Sequence, residues 1–244
     1  PPRSTPKPSS AASDVYKRQL VNALLAHDSS LGFLPRAGIV HRLDKDTSGL
    51  MVIAKKESSY LNLIEQLKAR SVRRTYLAIV VGVPISNKTI NAPIGRHPKI
   101  RTKQAINQNG KEAITRISVS ESFKGYALLK VNLETGRTHQ IRVHLSHIGY
   151  PIIGDSVYGA RKQFAPGSTD EIKTTISEFK RQALHAEELE LIHPGTQNSI
   201  SFENSSMYIF TDGITEIKNP SGEMLGSEGF ENYIKKYISQ LLND

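Results

Sequence analysis

Residues 41–55, HRLDKDTSGLMVIAK, constrain this chain more than any other stretch. A basic, turn-rich segment runs directly into an apolar one, Leu50 to Ala54, which reads as a buried strand. Gly49 offers a turn just before it. One of the carboxylates near the join, Asp44, has Arg42 and Lys45 on either side of it, and Lys55 and Lys56 close the strand. A working carboxylate needs a fixed place at the end of an element and a cation that favours its ionised form. The plainer alternative is that Asp44 or Asp46 caps a turn, as Asp before a strand commonly does.

The chain has 244 residues, enough for one large domain or two small ones, and 38% of them are hydrophobic, enough to bury a core. It has no cysteine, which excludes a disulfide framework and any thiolate metal site. No apolar run approaches the roughly 18 residues of a membrane span, and the first residues lack the apolar centre of a signal peptide. A soluble, reducing compartment, the cytoplasm, is therefore the expectation. The charge is uneven. Of 32 basic and 23 acidic residues, three and six fall in 204–244, leaving 29 and 17, or net +12, in 1–203. Such a body points to a polyanionic partner, above all nucleic acid.

Periodicity outlines the elements. A short helix is expected over 21–27 and an amphipathic helix over 59–69, with Leu61, Leu63, Ile64 and Leu67 on its apolar side and Ser58 or Ser59 as cap. Residues 73–83 and 125–133 read as strands. Residues 92–101, APIGRHPKIR, read as a basic loop, and 104–122 as two strands around a turn at Asn109 and Gly110. A helix is expected from Thr138, as cap, through Ile148, with Ile141, Leu145 and Ile148 inward and Gly149 and Pro151 ending it. A short helix within 165–178 and a return to the sheet over 181–191 complete the set. Strands outnumber helices and are joined mainly by turns. The expected fold class is α+β, a mixed, mainly antiparallel sheet with packed helices.

Three stretches, in order, carry a family resemblance: HRLDKDTSGLMVIAK at 41–55, RRTYLA at 73–78, and LETGRTHQIRVHLSHIGYPIIGDSVYG at 133–159. Together they resemble the motifs of the RluA-type RNA pseudouridine synthases, and the likeness covers about 20–202. The resemblance implies isomerisation of uridine to pseudouridine, with ribosomal RNA as partner, no metal and no cofactor, and a monomer away from membranes. It gives Asp44 the catalytic carboxylate role. It gives Arg142 the place of the cation that pairs with that carboxylate, where spacing alone suggests a surface Arg on an amphipathic helix. It gives Tyr76 the place of the tyrosine that stacks on the flipped base, where spacing alone suggests a core aromatic. Arg42, Arg73, Arg74, Arg96, Lys99, Arg101, Lys103 and Arg137 are the expected phosphate contacts, which position RNA without reading it. His139, His144 and His147 do not make a metal set, because no carboxylate or thiol completes one.

The two ends depart from the pattern. Residues 1–19 are rich in Pro and Ser and read as disordered, with the composition of a foreign leader. The S4 domain and first strand pair usual in full-length members are not recognisable, which leaves 20–203 a partial catalytic domain truncated at the front. Members usually close this domain with a Phe-x-Ala-Pro-like strand; here Phe202 leads to Glu203, Asn204 and Ser205. Residues 207–230 instead resemble a fragment of the PP2C-like serine phosphatases of the SpoIIE/RsbU type, with Asp212 at the place of a metal-binding Asp. One carboxylate makes no hard-cation site, so Asp212 is expected to be a turn residue before Gly213. Two rival readings follow: a catalytically poor RNA-binding fragment of a chimeric chain, and a phosphatase-related regulatory protein.

Overall fold

Arg73 to Val81 is the central strand of the molecule, and its sequence explains why. Eight of its nine residues are Arg, Tyr, Leu, Ile, Val or Ala, and six of the nine, Thr75 included, are buried in the strand, as a pleated element covered on both faces requires. The computed structural model describes residues 20–159, 164–179 and 181–203, with the backbone alone of 208–210 and 214–216. The stretch expected to be a foreign leader, 1–19, and the turn expected at Asp212 lie outside the described residues.

The strands in chain order are β1 (Ser48–Gly49), β2 (Val52–Ala54), β3 (Arg73–Val81), β4 (Lys88–Asn91), β5 (Ile94–Arg96), β6 (Gln104–Ile106), β7 (Ile114–Phe123), β8 (Tyr126–Leu133), β9 (Leu184–Ile192) and β10 (Ser199–Glu203). The main sheet runs β1-β9-β3-β8-β7-β4, with β10 on the far side of β9. All its pairings are antiparallel except β1 with β9. The α+β, mainly antiparallel class is thus the observed one. Two further strands, β11 (Tyr208–Phe210) and β12 (Ile214–Glu216), form a small sheet with β2, to which β11 runs parallel.

Four helices pack around this frame: α1 (Leu20–His27), α2 (Glu57–Lys68), α3 (Gln140–His147) and α4 (Asp170–Glu178). Helix α3 lays Ile141 and Leu145 on Tyr76, Ile79, Leu129 and Val131 in the largest core. Helix α2 sinks Leu63 among Val52, Leu189, Leu191 and Phe202 in a second core. Among the described residues no helix is long and apolar enough to cross a membrane.

Several sequence expectations move. Helix α2 begins at Glu57 after Lys56, with no side-chain cap, so neither Ser58 nor Ser59 caps it. Leu61, assigned to its apolar side, is 57% exposed, whereas Leu63 is fully buried. Helix α3 begins at Gln140, preceded by His139 in the left-handed conformation (φ 57°), and Thr138 does not cap it. The segment 104–122 is not one hairpin. β6 pairs with β5, a strand that lies within the stretch expected to be a basic loop, and β7 pairs with β4 and β8. Asn107–Gly110 still turns, through Gly110 N–H to Asn107 C=O. The bridge between Ile94 and Lys111 leads the chain away from a local hairpin.

The contrast within α2 is testable. Leu63→Ala should lower unfolding free energy by about 2–5 kcal/mol through lost burial and a cavity, and Leu61→Ala by less than about 0.5 kcal/mol. Urea unfolding of both variants reads this directly, and equal losses would refute the packing described.

Candidate active site

The turn Asp44–Thr47 is closed by Thr47 N–H donating to Asp44 C=O, with Asp46 in the left-handed region (φ 66°). The turn expected at Gly49 therefore lies a few residues earlier. Gly49 serves another purpose: it has φ 105° and a Cβ there would lie 2.2 Å from Ala186 C=O. Only glycine lets β1 approach β9 so closely. The turn is held from the sheet by Gln182, buried, whose Nε2 donates to Lys45 C=O (2.6 Å) and Thr47 Oγ1 (2.9 Å). Ahead of the turn, His41 Nε2 accepts the Val52 N–H at 3.0 Å, tying the motif to β2.

Asp44 opens on a cleft of about 610 Å³ that Arg42, Arg74, Tyr76, Arg137 and His139 also line. Tyr76 stands on β3 where the register with β9 shifts between Thr75 and Tyr76, an irregularity that re-aims a side chain. Burial raises the Tyr76 hydroxyl pKa and Asp44 adds to this, while Arg74 works against it. Tyr76 is therefore a protonated phenol near neutrality. Arg74 is itself largely enclosed, and its Nε has no hydrogen-bond partner among the described residues. A Cβ on Gly136 would meet Arg74 Nη1 at 2.6 Å, so that glycine makes the room Arg74 occupies.

Behind the cleft stands Arg142, 6% exposed. Its Nη1 lies 3.6 Å from Asp44 Oδ2. Its stronger partner is Asp155, which receives Nε on Oδ2 at 2.7 Å and Nη2 on Oδ1 at 2.9 Å. Asp155 Oδ1 also accepts the N–H of Val157 and of Tyr158, both at 2.9 Å. Burial opposes the charge on Asp155, but the Arg142 hydrogen bonds and charge, with the two backbone N–H groups, outweigh it and hold its pKa below the usual carboxylate value. The Tyr158 ring lies 5.0 Å from the guanidinium. The loop before α3 is fixed by Gln140. Its Nε2 donates to Ile114 C=O and Thr115 Oγ1, and its Oε1 accepts from Thr135 Oγ1 and Arg137 N–H.

The structure thus gathers Asp44, Tyr76, Arg142, Arg42, Arg74 and Arg137, and sets the other basic residues elsewhere. Arg73 points away from Arg74, pairs with Glu190 at 2.9 Å and does not line the cleft. Arg96, Lys99 and Arg101 are exposed along the β5–β6 hairpin. Lys103 donates to Val157 C=O at 2.7 Å, anchoring that hairpin to the Asp155 loop. Asp155, Gln182, His41 and Tyr158 were not singled out in the sequence. Asp155 and Tyr158 stood within the third motif, and their partnership with Arg142 was the missing observation. His144 bonds Thr115 Oγ1 and Ala92 C=O through its two ring nitrogens.

Comparison with known proteins agrees on one family. Residues 7–147 match the family described as RNA pseudouridylate synthase. The chain is 54% identical over 185 residues to ribosomal large subunit pseudouridine synthase D of Pseudomonas aeruginosa, covering 76% of this chain and 58% of that one. It is 46% identical over 175 residues to the protein of the same name in Escherichia coli, covering 72% and 54%. The chain thus spans little more than half the length of these relatives. The solved structure of human RNA pseudouridylate synthase domain containing 1 is similar with a TM-score of 0.54 at 26% identity, over 68% of this chain and 67% of that one.

His41 gives a pH dependence with a definite sign. Burial first, then the charges of Arg74 and Arg36, push its pKa from 6.5 to about 4. The unfolded chain takes up a proton below pH ~6.5 that the folded chain refuses until about pH 4, so this contribution is complete above that window and is lost as pH falls through it. Melting temperature should fall between pH 7 and pH 4.5, and His41→Asn should show a shallower fall. Parallel curves for the two proteins would contradict the assignment.

Proposed function

The chain belongs to the RNA pseudouridylate synthase family, and we propose that it isomerises uridine to pseudouridine in large-subunit ribosomal RNA. What supports this most is the placement of Asp44. It is a carboxylate at a rigid turn, backed by the buried Arg142 and sharing one cleft with Tyr76. Uridine isomerisation breaks the N1–C1′ bond and joins C1′ to C5; the proton on C5 is lost and one is gained at N1. A base stacked in RNA cannot rotate in this way, so the nucleotide must be flipped into a pocket. Attack on C1′ and removal of the 2′ proton both need an ionised carboxylate facing the ribose, the role we give Asp44. Arg142 sets a guanidinium 3.6 Å from that carboxylate. Tyr76 offers the flipped pyrimidine an aromatic face, and its protonated hydroxyl is a hydrogen-bond donor beside Arg74.

Arg42, Arg74 and Arg137 at the cleft, with Arg96, Lys99 and Arg101 on the β5–β6 hairpin, are the proposed phosphate contacts, consistent with the net +12 of 1–203. Residues 20–203 form the catalytic unit in this reading, and 204–244, of opposite charge, an added segment whose β11 pairs with β2 of that unit. The same reading makes the protein a cytoplasmic monomer, because ribosomal RNA is found there and Asp44, Tyr76 and Arg142 come from one chain.

Asp44→Asn keeps the shape of the side chain and removes its charge. Incubated with a large-subunit ribosomal RNA fragment, it should form no pseudouridine while binding the RNA within about twofold of the parent chain, since phosphate contacts dominate affinity. Turnover like that of the parent chain would remove Asp44 from the reaction. Loss of RNA binding would instead make it a structural residue.

A further inference from the structure

His139 lines the cleft with Asp44 and Tyr76, yet the chemistry above gives it no part. It occupies the left-handed region at the entrance to α3 (φ 57°), which His tolerates better than most residues. Its ring meets Tyr158 edge-on, with centroids 5.6 Å apart, and its Nδ1 lies 2.8 Å from Tyr158 Oη. That same Oη accepts the Gln104 N–H at 2.9 Å. Tyr158 has one hydroxyl proton, and among the described residues His139 Nδ1 is the acceptor within its reach. Burial favours the neutral ring; Asp44 opposes this, Arg142 and Arg42 support it, and Asp155 opposes it, with a net lowering of the pKa. A neutral imidazole that accepts at Nδ1 carries its proton on Nε2. Nε2 makes no hydrogen bond to any described residue, so it is the polar atom of His139 left for a ligand.

We propose that His139, fixed in its Nε2–H tautomer by Tyr158, donates a hydrogen bond to an acceptor oxygen of the flipped uridine in the Asp44 cleft. The inference rests on the synthase reading of that cleft. It makes Tyr158 a positioning residue twice over, because its hydroxyl orients His139 while its ring lies against Arg142. The hydroxyl is in turn oriented by the first strand residue after the basic hairpin loop, Gln104. The competing role is purely structural: His139 as a prop that holds Tyr158 in place.

Two substitutions separate these roles, because the amide nitrogen of Gln, a donor, reaches the position of Nε2 and the amide oxygen of Asn, an acceptor, the position of Nδ1. His139→Gln keeps the donor to the ligand; His139→Asn keeps the bond to Tyr158 and suits the positive φ. On a ribosomal RNA fragment, kcat/KM should fall about tenfold for Asn and by less than about threefold for Gln, the range of one neutral hydrogen bond. The reverse order, or equal losses, would show a prop and overturn the proposal. The ¹⁵N spectrum of the free full chain at pH 7 gives a reading that needs no turnover. It should show His139 protonated at Nε2, and protonation at Nδ1 would overturn the proposal. If the parent chain formed no pseudouridine, the synthase reading would fail by itself. Affinity of the same RNA, weaker for Asn than for Gln, would then still read the contact, and equal affinities would deny it.

Discussion

Arg142 is gripped from behind by Asp155, and the geometry at Asp44 depends on that grip. A guanidinium that is 6% exposed would be costly to bury with a single, longer contact to Asp44. Two short, parallel hydrogen bonds to a carboxylate that is itself 1% exposed make the burial tolerable. Asp155 is satisfied in turn by the N–H groups of Val157 and Tyr158. With Nε and Nη2 committed to Asp155, Nη1 is the part of the fork directed at Asp44. Arg142 thus presents a fixed positive charge to the cleft, and a Lys, with one rotatable ammonium, would not reproduce this geometry.

The same logic of support from a distance sets the Asp44 turn. Its Lys45 carbonyl and Thr47 hydroxyl are fastened by Gln182, which enters from the segment leading into β9, and its approach is fixed by the bond of His41 to Val52 of β2. β1 is laid against β9 through Gly49. The carboxylate therefore stands on backbone that the sheet itself positions, as a site requiring geometric precision demands. The β5–β6 hairpin joins this frame at two points, Lys103 to Val157 C=O and Gln104 to Tyr158. Its basic loop is in this way mechanically continuous with the loop that holds Arg142.

Asp44, Tyr76 and Arg142 were singled out through the family resemblance, because each sits in a contiguous motif, although spacing alone suggested a surface Arg and a core aromatic. The fold class was legible directly: strands such as β3 and β8 are long, apolar and bounded by turn residues. What was not legible required knowledge of distant partners. Gln182 lies 137 residues from Lys45, and nothing local marks a glutamine as the clamp of a turn. Asp155 reads as a lone Asp after Gly154 until α3 brings Arg142 beside it. The Asn109-Gly110 signal was a real turn, but pairing of β6 with β5 and of β7 with β4 and β8 overrode the local hairpin, since strand partners are chosen by packing across the sheet. Leu61 failed for a simpler reason: helical spacing marks a face, while burial depends on what lies opposite, and the second core receives Leu63.

Central to the proposal is the claim that Asp155 acts on the reaction mainly through Arg142, which it grips with two hydrogen bonds. A double-mutant cycle on pseudouridine formation, with Asp155→Asn, Arg142→Lys and the double variant, tests this most directly once each is shown to be folded. If the claim holds, the double variant is about as slow as the worse single one, a coupling of at least about 1.5 kcal/mol between two residues that act as one unit. Rate losses that simply multiply would show that Asp155 and Arg142 work independently, and would contradict the account.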